Sequence, residues 1–240
     1  MNRKYILEIS VETVEAALAA ERGGADRIEL CCDLSLGGVT PGAGLVSTVQ
    51  KQILIPVVVM IRPRGGDFVY STAEFAEMKR AVSAVKEWGL DGVVLGILRK
   101  DRQVDIERTR ELVELARPLP VTYHRAFDEA PDQRRVLEEV IQTGASRILT
   151  SGGANSALEG GAILAELVAA AGDRVVIVPG AGINASNVLQ IAQQTGAHEF
   201  HSGLSTALPY GSHDYKKFET EVGNLAKQLA TLYSPNAHPN

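Results

Sequence analysis

Short apolar runs alternate with amphipathic stretches along the whole chain. The runs at 4–9, 26–30, 56–61, 92–96, 147–150, 175–178 and 198–201, with a further one opening at Val121, are rich in Val, Ile and Leu. Their near-continuous hydrophobicity, as in Pro56-Val57-Val58-Val59-Met60-Ile61, is that of parallel strands buried on both faces. Between them, 11–22, 43–52, 72–88, 105–117, 131–143, 156–171, 184–194 and 214–233 carry a helical spacing of apolar positions. A punctuation repeat runs through the pattern. Gly24-Ala25-Asp26-Arg27-Ile28, Gly89-Leu90-Asp91-Gly92-Val93, Gly144-Ala145-Ser146-Arg147-Ile148 and Gly196-Ala197-His198-Glu199-Phe200 each end a helix on Gly and start a strand shortly after. Eight strand–helix units with no linker predict an α/β protein of the (β/α)8 TIM barrel type, one domain over 1–233, with a flexible tail at 234–240. A doubly wound open sheet is the alternative. It is disfavoured because no Gly-x-Gly-x-x-Gly follows the first strand and no composition break divides the chain.

In such a barrel, chemistry gathers where strands end. Strand one ends Glu8-x-Ser10 and strand two Glu29-x-Cys31, and residues two apart on a strand share a face. Glu8 and Glu29 are therefore expected to meet inside the barrel, where like charges raise one carboxyl pKa. His124, at the end of strand five in Tyr123-His124-Arg125-Ala126-Phe127-Asp128, points inward by the same parity and completes a candidate acid–base set with Glu8 and Glu29. Arg125 is expected to face the helices or a neighbouring loop, and Asp128 to orient a neighbour or cap the following helix. Arg62 and Arg64 after strand three, with the late loops Ser151-Gly152-Gly153, Gly180-Ala181-Gly182 and His201-Ser202-Gly203, form a candidate anion site. Ser151, Gly152, Gly180, Gly182, His201 and Ser202 are its named members; tight turns explain the glycines equally well. Cys31 is the candidate metal ligand, although no Cys-x-x-Cys, His-x-His or His-Glu-x-x-His spacing accompanies it. The bland alternative is a layer of ion pairs, made from Glu8, Glu29 and Arg62, that plugs the mouth. The strand starts offer no comparable set of polar residues.

Composition narrows the partners. A net charge of −5, without a long basic run, argues against nucleic acid or an anionic membrane surface. No stretch approaches the roughly 18 apolar residues of a spanning helix. The first strand begins almost at once, so no leader peptide is expected. Two adjacent cysteines, Cys31 and Cys32, cannot staple a fold of this size, and a reducing cytoplasm is the expected setting.

Several blocks then carry a family resemblance. Ile6-Leu7-Glu8-Ile9, Arg27-Ile28-Glu29-Leu30-Cys31, Gly37-Gly38-Val39-Thr40-Pro41, Arg62-Pro63-Arg64-Gly65-Gly66-Asp67-Phe68, His124-Arg125-Ala126-Phe127-Asp128, Leu149-Thr150-Ser151-Gly152 and Gly180-Ala181-Gly182 together resemble the CutC family over about 5–203. The resemblance implies a (β/α)8 barrel, a cytoplasmic homo-oligomer, and copper binding in copper homeostasis. It also implies thiol ligands at the ends of strands one and two. Here those positions are Ser10 and Cys31, so a two-thiolate site between the strands is unavailable. Two functional expectations stand beside each other. One is a copper-related role through Cys31 with help from a histidine. The other is an enzyme acting on a small anionic substrate, a phosphorylated one among the options, by acid–base chemistry. A non-catalytic oligomerising scaffold is a third.

Overall fold

The computed structural model describes residues 5–232, so the predicted 234–240 tail lies outside the described residues. Eight parallel strands form one sheet: β1 (Ile6–Val11), β2 (Arg27–Leu30), β3 (Val57–Met60), β4 (Gly92–Leu95), β5 (Val121–Tyr123), β6 (Arg147–Thr150), β7 (Val176–Pro179) and β8 (Glu199–Ser202). Helices α1 (Val14–Gly23), α2 (Ala43–Gln52), α3 (Thr72–Glu87), α4 (Ile106–Ala116), α5 (Gln133–Thr143), α6 (Gly161–Ala171), α7 (Val188–Thr195) and α8 (Tyr215–Thr231) follow the strands in turn. The sheet order β7-β6-β5-β4-β3-β2-β1-β8 curls into a TIM barrel, with β1 paired to both β2 and β8. β7 and β8 lie side by side without a ladder between them, so the barrel is nearly closed.

Local signals set the helix ends. Ser71 and Glu74 form a reciprocal capping box at the start of α3. Gly24, at φ 94°, ends α1 in the left-handed conformation that glycine adopts without strain. Three predicted boundaries move. β1 runs on to Val11 rather than ending at 9, because its ladder with β2 continues through Ser10↔Glu29 and Val11↔Leu30, while residue 4 of the predicted 4–9 strand lies outside the described residues. α6 begins at Gly161 rather than near 156, since the Ala157 N–H is drawn to the carbonyl of Ala181. α7 begins at Val188 rather than 184. The Asn184 and Asn187 side chains accept from nearby backbone N–H groups and hold that segment in turns.

Strand alternation divides the core in two. Outward residues such as Leu7, Ile9, Ile28, Leu30, Val59 and Phe200 pack with the helices in the main apolar cluster. Burying each large side chain there stabilises the fold by roughly 1.5–3 kcal/mol. Inside the barrel, a small cluster of Cys31, Val58, Met60 and Val94 fills the β2–β4 side. The β8–β1–β2 side carries charge instead: Glu8, Arg27, Glu29, Glu199 and His201.

Candidate functional site

Alternation along β1, β2 and β8 brings three inward side chains together. One ligand-capable atom from each of Glu8, Glu29 and His201 lies within 4.8 Å of the others, and all three residues are buried. His201 Nδ1 bonds Glu8 Oε1 at 2.7 Å, and His201 Nε2 lies 3.8 Å from Glu29 Oε2. Glu8 therefore orients the imidazole and leaves its second nitrogen facing Glu29.

Beneath this cluster lies a layer of ion pairs. The Arg27 guanidinium bonds Glu8 through Nε and Glu199 through Nη2, the latter at 2.6 Å. Arg147 reaches the same Glu199 carboxylate at 2.8 Å. Arg27, Arg147 and Glu199 are the first residues of their strands, so the expectation that strand starts carry no comparable polar set does not hold. Sequence reasoning missed all three. The signal was present, because each occupies the same place in the Gly-x-x repeat and points inward by parity.

The two carboxylates differ in charge. Burial pushes the Glu8 carboxyl up, but the hydrogen bond to His201 and the charge of Arg27 outweigh it and hold it at about 2. Glu29 lacks such a partner. Burial, only partly offset by His201 and reinforced by Glu8, pushes it up to about 7. Its Oε1 is buried without a hydrogen-bond partner among the described residues. Burial lowers the His201 pKa, and the facing Glu29 and Glu8 more than reverse that. The trio can shuttle a proton near neutral pH, or hold a cation on two carboxylates and an imidazole.

His124 stands apart from this trio. Its Nδ1 accepts the Ala126 N–H at 3.2 Å and caps a 3-10 turn, Arg125–Glu129, so β5 stops at Tyr123. Its ring packs over Gly96, where a Cβ would lie 2.6 Å from Nδ1, and 4.8 Å from the Phe68 ring. Burial and then the charge of Arg62 hold its pKa at about 3, so it is a neutral imidazole. Glu8 and Glu29 are thus brought together with His201, a residue assigned from sequence to the anion set, and not with His124.

The other anion-site residues are largely engaged within the protein. Arg62 donates to the carbonyls of Leu36, Gly38 and Gly66 and ties the loops after β2 and β3 together. Arg64 bonds Asp67 and Glu74. The N–H groups of Ser151 and Gly153 donate to the Asp128 carboxylate, and the Gly152 N–H goes to Thr150 Oγ1. Asp128 also accepts from the Thr150 and Ser151 hydroxyls and from Arg125. It therefore orients the loop after β6, while Asp132 caps α5. The Gly180 N–H pairs with the Thr150 carbonyl, the Gly182 carbonyl accepts from Asn187, and Ser202 Oγ donates to the Ile183 carbonyl.

Cys31 lies inside the barrel with its thiol 3.5 Å from the Val11 carbonyl. Burial, then the charge of Glu29, raises its pKa well above the ordinary thiol value. Met60 belongs to the same interior cluster. Cys31 Sγ and Met60 Cε lie 3.4 and 3.6 Å from one point, the place a Cβ on Gly38 would take. Met60 was missed from sequence because it closes an apolar run that reads as core. Ser10 is buried on β1 beside Glu29 in register.

The family model for the CutC family matches residues 5–206, nearly the whole barrel. The chain belongs to the CutC family. A CutC-family protein of Xylella fastidiosa is 48% identical over 239 residues, covering 96% of this chain and 90% of that protein. The human protein named copper homeostasis protein cutC homolog is 48% identical over 197 residues, covering 82% and 72%. The crystal structure of CutC from Streptococcus agalactiae superposes with a TM-score of 0.79 at 32% identity, covering 83% of this chain and 98% of that one. The blocks lining this CutC-family barrel, from Glu8 to Ser202, all fall inside the matched segment. No helix among the described residues is long and apolar enough to cross a membrane.

Proposed function

We propose that this chain binds copper(I) in copper homeostasis, with the Cys31 thiolate and the Met60 thioether as its soft donors. The observation that carries the reading is their placement. Cys31 directly follows β2, Met60 ends the adjacent β3, both belong to one interior cluster, and the thiol and the Met60 methyl both border the space beside Gly38. Thiolate and thioether sulfur are the protein donors that copper(I) prefers, and the donor set fits that ion. Met60 stands in for the second thiol that Ser10 does not supply, and it takes the place of the histidine expected from sequence. The relatives named for copper homeostasis support the same reading. Because burial keeps the Cys31 thiol protonated, binding copper releases a proton, and affinity rises with pH.

The test is a titration of the reduced, full-length protein with copper(I) against a competing chelator. One equivalent binds to the wild type. Cys31→Ser abolishes that binding, and Met60→Leu weakens it about tenfold, or about 1.4 kcal/mol. Equal affinity in wild type and Cys31→Ser overturns the assignment.

A second reading, acid–base catalysis on a small anionic substrate, rests on Glu29, whose carboxyl titrates near 7 beside His201 with one oxygen unpartnered. Its mark is a bell-shaped pH–rate profile that Glu29→Gln removes. The unpaired thiols support a reducing, cytoplasmic setting. The family resemblance supports a homo-oligomer, which light scattering on the eluted protein measures.

A further inference from the structure

Arg62 is 5% exposed, and no carboxylate lies within ion-pairing distance of it among the described residues. Arg64, two positions on, has both Asp67 and Glu74. The Arg62 charge rests on three carbonyl dipoles from its terminal nitrogens, while its Nε–H is buried without a partner. A buried cation without a counter-anion is costly, and so is a buried donor without an acceptor. His124 repeats the situation. It is 3% exposed, its Nδ1 accepts a backbone N–H, and its Nε2 is buried with no partner. Since Nδ1 is the acceptor, the neutral ring carries its proton on Nε2 as a free donor. Both groups meet one ring. The Arg62 Cζ lies 4.8 Å from the Phe68 centroid, and the His124 ring centroid also lies 4.8 Å from it. Phe68, in the loop after β3, is itself half-buried. Gly96 supplies the room, since a side chain there would collide with the imidazole.

We propose that the barrel end between β3 and β5 is a binding site for a small oxyanion, a carboxylate or a phosphate group, held by Arg62 Nε–H and His124 Nε2–H under the Phe68 ring. The anion supplies the countercharge that Arg62 lacks and the acceptor that His124 lacks. This site lies elsewhere than the glycine loops after β6 to β8, whose donors are turned toward Asp128 and neighbouring backbone. It shares no residue with the Cys31–Met60 pair, so either assignment can fail alone.

The test uses the full-length protein labelled with nitrogen-15 at histidine. Sodium acetate and sodium phosphate are titrated separately, at fixed pH and with ionic strength held constant by sodium chloride. The expected result is a saturable shift of the His124 Nε2 resonance with at least one anion, accompanied by a higher thermal midpoint. A response to acetate alone assigns a carboxylate ligand, to phosphate alone a phosphate ligand, and to both a general oxyanion site. His124→Asn keeps an acceptor for the Ala126 N–H and removes the outer donor. It weakens binding about tenfold or more while retaining the thermal midpoint measured in chloride. Arg62→Lys keeps the charge and loses the Nε–H, and it weakens binding likewise. Failure of both anions to move the His124 signal overturns the proposal. So does binding to folded His124→Asn with wild-type affinity.

Discussion

Glu8 and Glu29 are the same residue type on neighbouring strands, yet their surroundings drive them apart. Glu8 is held at about 2, below its ordinary 4.5, so its contribution to stability is present above pH 4.5 and is lost as pH falls towards 2. Glu29 is pushed up to about 7, so folding favours its protonated form, and stability is lost as pH rises through 7. Glu29→Gln, which keeps the shape and cannot ionise, should match wild type in urea unfolding below the ordinary carboxylate pKa. Above pH 7 it should exceed wild type by roughly 1–3 kcal/mol. A stability gap independent of pH would refute the assignment. Glu8→Gln does the opposite. It leaves Arg27 and His201 beside a neutral amide and should lower stability by roughly 3 kcal/mol at neutral pH. Strand parity made the meeting of Glu8 and Glu29 legible in sequence, because each strand ended in a polar residue after apolar ones. Met60 obeyed the same parity, but a thioether at the end of a valine run carries no polar signal. Arg62 was legible as a cation. That it stands buried without a carboxylate depends on which loops fold over it, and no local pattern encodes that.

Elements are held at their ends by side chains that turn back onto the backbone. The loop after β6 is the clearest case. Asp128 gathers two backbone N–H groups, two hydroxyls and a guanidinium, so the loop is shaped around a carboxylate the chain provides for itself. Asp128→Asn places an amide donor against groups that are already donors. It should destabilise the protein by roughly 2 kcal/mol and speed hydrogen exchange at the Ser151 and Gly153 amides; unchanged exchange would show that the loop holds itself. The same accounting of donors explains why the glycines read ambiguously from sequence. Gly-rich turns after strands look alike whether they cradle a foreign anion or a local one. The late starts of α6 and α7 have a related origin. The predicted helices extended through 156–160 and 184–187, but asparagine side chains and a cross-loop bond to Ala181 competed successfully for those backbone groups.

For the whole molecule, the barrel was legible because its evidence is repetitive: eight strands, each buried on two faces, separated by helices of ordinary length. What repetition did not reveal was how the interior is filled. Glu199 accepts both Arg27 and Arg147, and so links β2 and β6 to β8 through the barrel's inside. Glu199→Gln should lower the unfolding free energy by roughly 3 kcal/mol, because two largely buried guanidinium groups then lose their shared carboxylate. A loss below about 1 kcal/mol in urea unfolding, the range of exposed pairs, would mean that water reaches and screens them. The absent ladder between β7 and β8 has a further consequence. On the side where they face each other, each of these strands has backbone outside any ladder, an edge through which a foreign strand adds to a sheet once the two part. β7 ends at Pro179, which has no N–H to offer, and β8 turns Glu199 and His201 inward, where a second chain's apolar face would meet charge. The interior ions thus also guard the seam. Replacing Pro179 and Glu199 together by valine should convert the two edges into a sticky pair, read as light scattering that grows with protein concentration during mild heating, while wild type stays clear.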